Sequence, residues 1–253
     1  MNSINWKDKA RASSIHLLIC IAIASILAFL LFFLWYPYPY REISGGRDLF
    51  LIIIFVDVVI GPLITLVVFD KRKPLRELRT DLIIVGTLQL FALFYGGWTV
   101  YNARPIYLVF EYQRFSVVHA TDIDQETLKQ APEQFRALPL KGPLLLSLRP
   151  LNKSEVIDSA LLAMNGVPQA AQPQLWQEYV LAKDEILQSA KSLDELKDRF
   201  PASTTVIEKA INETGLPAGQ LSYLPLLSRK KTWTAILDNR TAMPVGFFAF
   251  DPF

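Results

Sequence analysis

Cysteine is almost missing from this chain: of its 253 residues only Cys20 is one, and it lies inside an apolar run. No intrachain disulfide can form, and Cys20 reads as a small packing residue. Histidine is nearly as scarce, with His16 and His119 alone. Once the membrane spans are placed the two fall on opposite sides, so they cannot share a metal. There is no G-x-S-x-G elbow, no G-x-x-x-x-G-K-[ST] loop and no G-x-G-x-x-G fingerprint. That removes the common signs of a nucleophile elbow, a phosphate cradle and a dinucleotide fold. Asp122 and Asp124 alternate, but at a loop or helix start they read as caps. A large excess of one charge is missing too, the net being +2. The residues supply no catalytic, metal or cofactor set, and the expectation is a protein that is not an enzyme.

What the chain does have is long apolar runs, at 17–35, 49–69 and 82–101. Each has about the 20 residues a helix needs to cross roughly 30 Å of hydrocarbon. The first follows Lys7, Lys9 and Arg11, as a signal peptide would. It is longer than a cleaved apolar region, no small-x-small site follows it, and it exits through an aromatic cluster, so it reads as an uncleaved anchor. Positive charge sets the orientation. The second loop carries Lys71, Arg72, Lys73, Arg76 and Arg79, whereas in the first loop Arg41 and Arg47 are offset by Glu42 and Asp48. The N-terminus and second loop are therefore expected in the cytoplasm and everything after residue 101 outside, in the periplasm of a Gram-negative inner membrane.

The middle run holds the most informative residue, Asp57. A carboxylate inside a spanning segment is costly and faces protein or a polar cavity. Pro62 removes a backbone donor and predicts a kink. On a helix Asp57, Gly61 and Thr65 form one small, polar stripe, and the third span has Gly86, Gln89, Leu93 and Gly96 on another. With the two spans antiparallel, Asp57 and Gln89 come near mid-membrane about one turn apart, roughly 5–6 Å. Such stripes either pack the two spans together or accept a partner's membrane helix. The candidate groove is Asp57, Gly61, Pro62, Thr65, Gln89 and Gly96.

Residues 102–253 form the second domain, with 16 basic and 17 acidic side chains, a balance that argues against a nucleic-acid surface. Ile106–Ala120 reads as one long strand or a pair bent near Tyr112-Gln113. Thr121 is a candidate cap for a short helix, and 144–148 has strand length. Helices are expected from Ser154 to Met164 with Val156, Ile157, Ala160, Leu161 and Met164 as the apolar face, at 175–190, after the Ser192–Glu195 capping box, and at 203–214. Strands at 221–227, 232–237 and 243–250 close the chain. The fold class is thus membrane α plus α+β: a three-helix membrane bundle, residues 1–101, then a periplasmic domain, residues 102–253, whose antiparallel sheet carries several helices on one side.

Several segments occur together and in order: IHLLI with His16, FLWYPYPY at Trp35–Tyr40, GGRDLFLIIIFVDVVIGPLITLVVF, the basic loop KRKPLRELRTDL, LQLFALFYG, and YNARPIYLVF with Arg104 and Pro105. The set resembles the TfpX/TfpZ family of type IV pilin accessory proteins over about 110 residues, and again around Trp233 to Phe250. The resemblance implies a dedicated chaperone for a cognate major pilin, acting in the inner membrane, with the assembly platform as a further candidate partner and no cofactor or nucleic acid. The pilin helix would lie in the Asp57 groove and its head against Trp233 and Phe247. Two other readings stay open: a periplasmic ligand-sensing membrane protein working through a separate transducer, and a pilin-modifying membrane enzyme using Arg41, Glu42, Asp48 or Arg104.

Overall fold

Unbroken apolar sequence makes the first helix, α1 (Trp6–Phe29), which widens into a π-helical stretch at Leu30–Trp35. A short turn of helix, α2 (Tyr40–Ile43), leads to α3 (Gly46–Ile54), a second π-helical stretch (Phe55–Ile60) and α4 (Gly61–Val68), followed by the long α5 (Leu75–Asn102). This computed structural model describes residues 6–253. Three helices, Trp6–Trp35, Gly46–Val68 and Leu75–Asn102, are long and apolar enough to cross a membrane. They run past the apolar stretches at several ends, because the basic flanking residues are themselves good helix formers.

The chain folds as two compact units. One comprises the helices up to Leu34 and from Gly46 to Asn102; the other comprises Trp35–Gly45 and Ala103–Phe253. By sequence the Trp35–Gly45 segment fell in the membrane domain; by packing it belongs with the second unit, where Tyr40 and Ile43 enter the main core.

The second unit is built on β1 (Pro105–Glu111), β2 (Arg114–His119), α6 (Gln125–Leu128), β3 (Leu144–Leu148), α7 (Glu155–Met164), β4 (Trp176–Glu178), α8 (Lys183–Ser189), β5 (Lys191–Ser192), α9 (Leu193–Arg199), α10 (Thr204–Glu213), β6 (Leu221–Leu227), β7 (Thr232–Asp238) and β8 (Pro244–Phe248). The strands form one sheet in the order β4-β3-β1-β2-β6-β7-β8, with β5 paired to β6. The α+β class stands. The sheet is mixed rather than wholly antiparallel: β1 runs parallel to β3, and β2 to β6. Helices cover both faces rather than one. Leu108 and Phe110 enter one core with Ile186 of α8, while Tyr107 and Val109 enter another with Trp176. A third, on β6–β8, joins Leu196, Ile207 and Ile211 to Tyr223 and Ile236. This double burial explains why β1 is buried at every position and reads as a continuous apolar run.

Other local expectations divide. The bend at Tyr112-Gln113 is a tight hairpin in which Tyr112 takes φ 57°. Asp124, not Thr121, caps α6, its side chain accepting from the Glu126 and Thr127 N–H groups. Ser192 caps α9 through the Asp194 N–H. The expected helix at 175–190 begins instead as the edge strand β4, because Trp176 turns inward, packs at a tilt against Tyr107 (4.8 Å between ring centroids) and donates its indole N–H to Ala170 O at 2.8 Å. The face expected to anchor α7 is the one it exposes: Ile157 is 69% and Met164 84% exposed, and only Ser159 is buried.

Candidate functional site

Within the helical unit, Pro62 sets the local geometry. It has no N–H to close the usual turn, and the helix widens just before it: Gly61 N–H bonds the Val56 carbonyl, five residues back. The expected kink is thus expressed as a π-helical turn, a feature frequent at functional sites. Asp57 lies inside this turn, midway along Gly46–Val68.

The widened turn splits the stripe that helical spacing had drawn as one groove. Thr65 is buried and shares a 2.6 Å hydrogen bond with His16 Nδ1, and the Pro62 carbonyl accepts from Ser13 Oγ at 2.8 Å. Both therefore pack against α1. Gly61 faces α5, and its Cβ position is taken by the Gln89 carboxamide; that of Gly96 is taken by Ile53. These glycines bring the second and third helices close, as small residues do in membrane bundles.

What stays open is the space around Asp57. Asp57 is only 8% exposed, yet neither carboxylate oxygen has a hydrogen-bond partner among the described residues, and the same holds for both polar atoms of Gln89. Asp57, Gln89 and His16, the last bonded to Thr65, line a groove of about 240 Å³ whose other walls are apolar: Cys20 and Ala24 from α1, Ile53 from α3, Leu93 from α5. Gly86 forms part of its lining, and a Cβ there would meet nothing within 4 Å. Leu90, 51% exposed, lies at its outer edge. On its other side Asp57 borders a second groove of about 260 Å³, with Ile52, Val56, Tyr95 and Gly96. The apolar part of the α1 contribution had no sequence signal, because residues 17–29 are apolar on nearly every side and show no face.

In the second unit the candidate head contacts are covered by the unit's own chain. Trp233 is 8% exposed beneath Tyr38, with ring centroids 6.0 Å apart, and Phe247 packs on Tyr40 while its carbonyl accepts from the Tyr38 hydroxyl at 3.1 Å. Tyr38 itself is exposed. Elsewhere in this unit a polar cluster centres on the fully buried His119. Its N–H donates to Asp122 Oδ2 at 2.7 Å and its Nδ1 lies 3.3 Å from the same oxygen. Arg229, from the β6–β7 turn, bonds both Asp122 and Thr121. Burial lowers the His119 pKa and outweighs the Asp122 hydrogen bond that would raise it. For Asp122 burial pulls upward, but the bonds from His119 and Arg229 win and hold it at about 2. This is a structural lock on the turn: the imidazole has no exposed surface to meet a substrate. No group of three or more His, Cys, Asp or Glu side chains able to hold a metal occurs among the described residues.

The profile of the family described as "Fimbrial assembly protein FimB" matches residues 4–45. A fimbrial assembly protein of Dichelobacter nodosus serogroup I is 35% identical over 98% of this chain and 99% of its own length. The chain belongs to the fimbrial assembly protein family. Its serogroup E1 relative is 34% identical over the same shares, and that of serogroups C1 and C2 is 38% identical over 52% of this chain and all of its own length. These relatives carry the fimbrial assembly name rather than the TfpX/TfpZ name that the sequence suggested, and both concern pilus biogenesis. No solved structure matches the chain.

Proposed function

We propose that this chain is an inner-membrane accessory protein of type IV pilus biogenesis that binds its cognate major pilin and promotes that subunit's stability or assembly. The three spans hold the pilin's membrane helix, and the C-terminal domain, on the periplasmic side, meets the pilin's head through the aromatic surface that Tyr38 caps above Trp233 and Phe247. The protein acts by binding, with no reaction of its own; the assembly platform is the second candidate partner.

Kinship with full-length fimbrial assembly proteins supports the pathway. The observation that carries the binding role is the groove itself, where a buried carboxylate and a buried carboxamide both lack partners. Unpaired polar groups inside hydrocarbon are destabilising, so a bundle that served only as an anchor would gain by replacing them with leucine.

The test uses Gly86. Because a Cβ there meets nothing within 4 Å and Gly86 lines the groove, Gly86→Leu is designed to place its side chain in the groove. The expected result is a stably inserted protein that no longer co-isolates with the pilin and no longer supports piliation. Wild-type piliation and pilin recovery with Gly86→Leu would overturn the reading.

A further inference from the structure

The groove also states what the seated helix must offer. Its unpartnered atoms are three acceptors, Asp57 Oδ1, Asp57 Oδ2 and Gln89 Oε1, and one donor, Gln89 Nε2. A hydroxyl or a carboxamide brings at most two donor hydrogens to the three acceptors and no charge to match a carboxylate, although its own oxygen would accept from Gln89 Nε2. A primary ammonium brings three donors, no acceptor and the charge opposite to a carboxylate. In a low-dielectric setting an ion pair forms when both charges find each other and their remaining hydrogen bonds are met. Apart from His16, whose Nδ1 is bonded to Thr65, the remaining walls are apolar, which suits an aliphatic stem beside the ammonium.

We infer that the Asp57–Gln89 groove is a binding site for a membrane-embedded primary ammonium, presented to it by the partner's spanning helix. Asp57 supplies the counter-charge and Gln89 Oε1 the third acceptor, while the open floor at Gly86 lets the partner backbone come close enough for the stem to reach. Only the partner's identity as a pilin rests on the function proposed above; the chemistry follows from the groove alone.

The experiment uses the full chain reconstituted in lipid bilayers and three synthetic leucine–alanine spanning helices with lysine, glutamine or leucine at the central position. Association is read by energy transfer between labelled protein and peptide. The lysine helix is expected to bind about tenfold more tightly than the leucine helix, with glutamine between them. Asp57→Asn keeps the side-chain shape and brings the lysine-to-leucine ratio to about one; dividing by the same ratio for the variant cancels any effect of lysine on peptide insertion. Gln89→Met, which keeps length and removes both polar atoms, lowers the ratio about threefold and decides the matter if Asp57→Asn does not fold. Equal binding of the lysine and leucine helices to the wild-type chain, or a lysine preference that survives Asp57→Asn, would overturn the inference. Failure of the pilin reading shows differently: the pilin does not co-isolate with the wild-type protein, and the lysine ratio is unaffected.

Discussion

At the scale of single residues, burial and partners decide which groups are structural. Gly96 and Gly86 lie on the same helix and differ in what surrounds them: Ile53 crowds the first and nothing crowds the second. Gly96→Ala is therefore expected to destabilise the helical unit by about 1–3 kcal/mol, the usual cost of overpacking, while Gly86→Ala does not lower its thermal unfolding temperature in detergent. The His119–Asp122–Arg229 lock makes a prediction about pH. The folded protein holds His119 neutral below its ordinary value of 6.5, whereas the unfolded chain takes up the proton. Stability is then full above that value and falls as acid is added below it. Asp122, held at about 2 against an ordinary 3.8, loses its contribution only in stronger acid. Urea midpoints of the C-terminal domain's transition in the full chain should fall from about pH 7.5 to about pH 5, and His119→Gln should flatten that slope. An unchanged slope in His119→Gln would show that another group titrates.

At the scale of elements, the helices at 155–164 and 175–190 show where sequence periodicity succeeds and fails. The 3.6-residue spacing of Val156, Ile157, Ala160, Leu161 and Met164 did mark a helix, but not the face it buries, since Ser159 is the residue that packs inward, its hydroxyl accepting from Gln169 Nε2 at 3.0 Å. Ile157→Glu should therefore change stability by less than about 0.5 kcal/mol, measured by chemical unfolding, where a core-facing isoleucine would cost several times more. Trp176→Ala, on an edge strand where the sequence spacing predicts helix, should cost about 3–5 kcal/mol in the same assay. The misreading has a physical cause: Leu175, Tyr179, Ala182 and Ile186 keep helical spacing, but the burial of Trp176 beside Tyr107 outweighs propensity over three residues. Strands β1, β2, β3, β6, β7 and β8 were legible because β-branched and aromatic runs are bounded by Pro105, the Ser228–Lys231 turn and Asp238–Asn239. Their parallel pairings were not, because they join residues far apart in the chain. In the helical unit Asp57 and Gln89 stood out as polar residues in apolar runs. The sealing of Thr65 by His16 did not, because it depends on the extra residue that the π-helical turn inserts.

At the scale of the whole molecule, the chain combines a bundle in which a buried acid, Asp57, has no hydrogen-bond partner among the described residues with a domain whose sheet is covered on both faces. The bundle therefore holds the clearest unsatisfied polar site among the described residues. The most direct measurement is site-specific photocrosslinking in living cells from two adjacent positions on α5: Leu90, at the edge of the Asp57 groove, and Phe91, exposed and lining neither groove. The two differ in facing far more than in membrane depth, so chance collisions label both. Adducts to the major pilin from Leu90, with few from Phe91, and loss of the Leu90 adduct in Gly86→Leu, are the predicted result. Equal labelling from both positions, or a Leu90 adduct that persists when the groove is filled, would contradict the account.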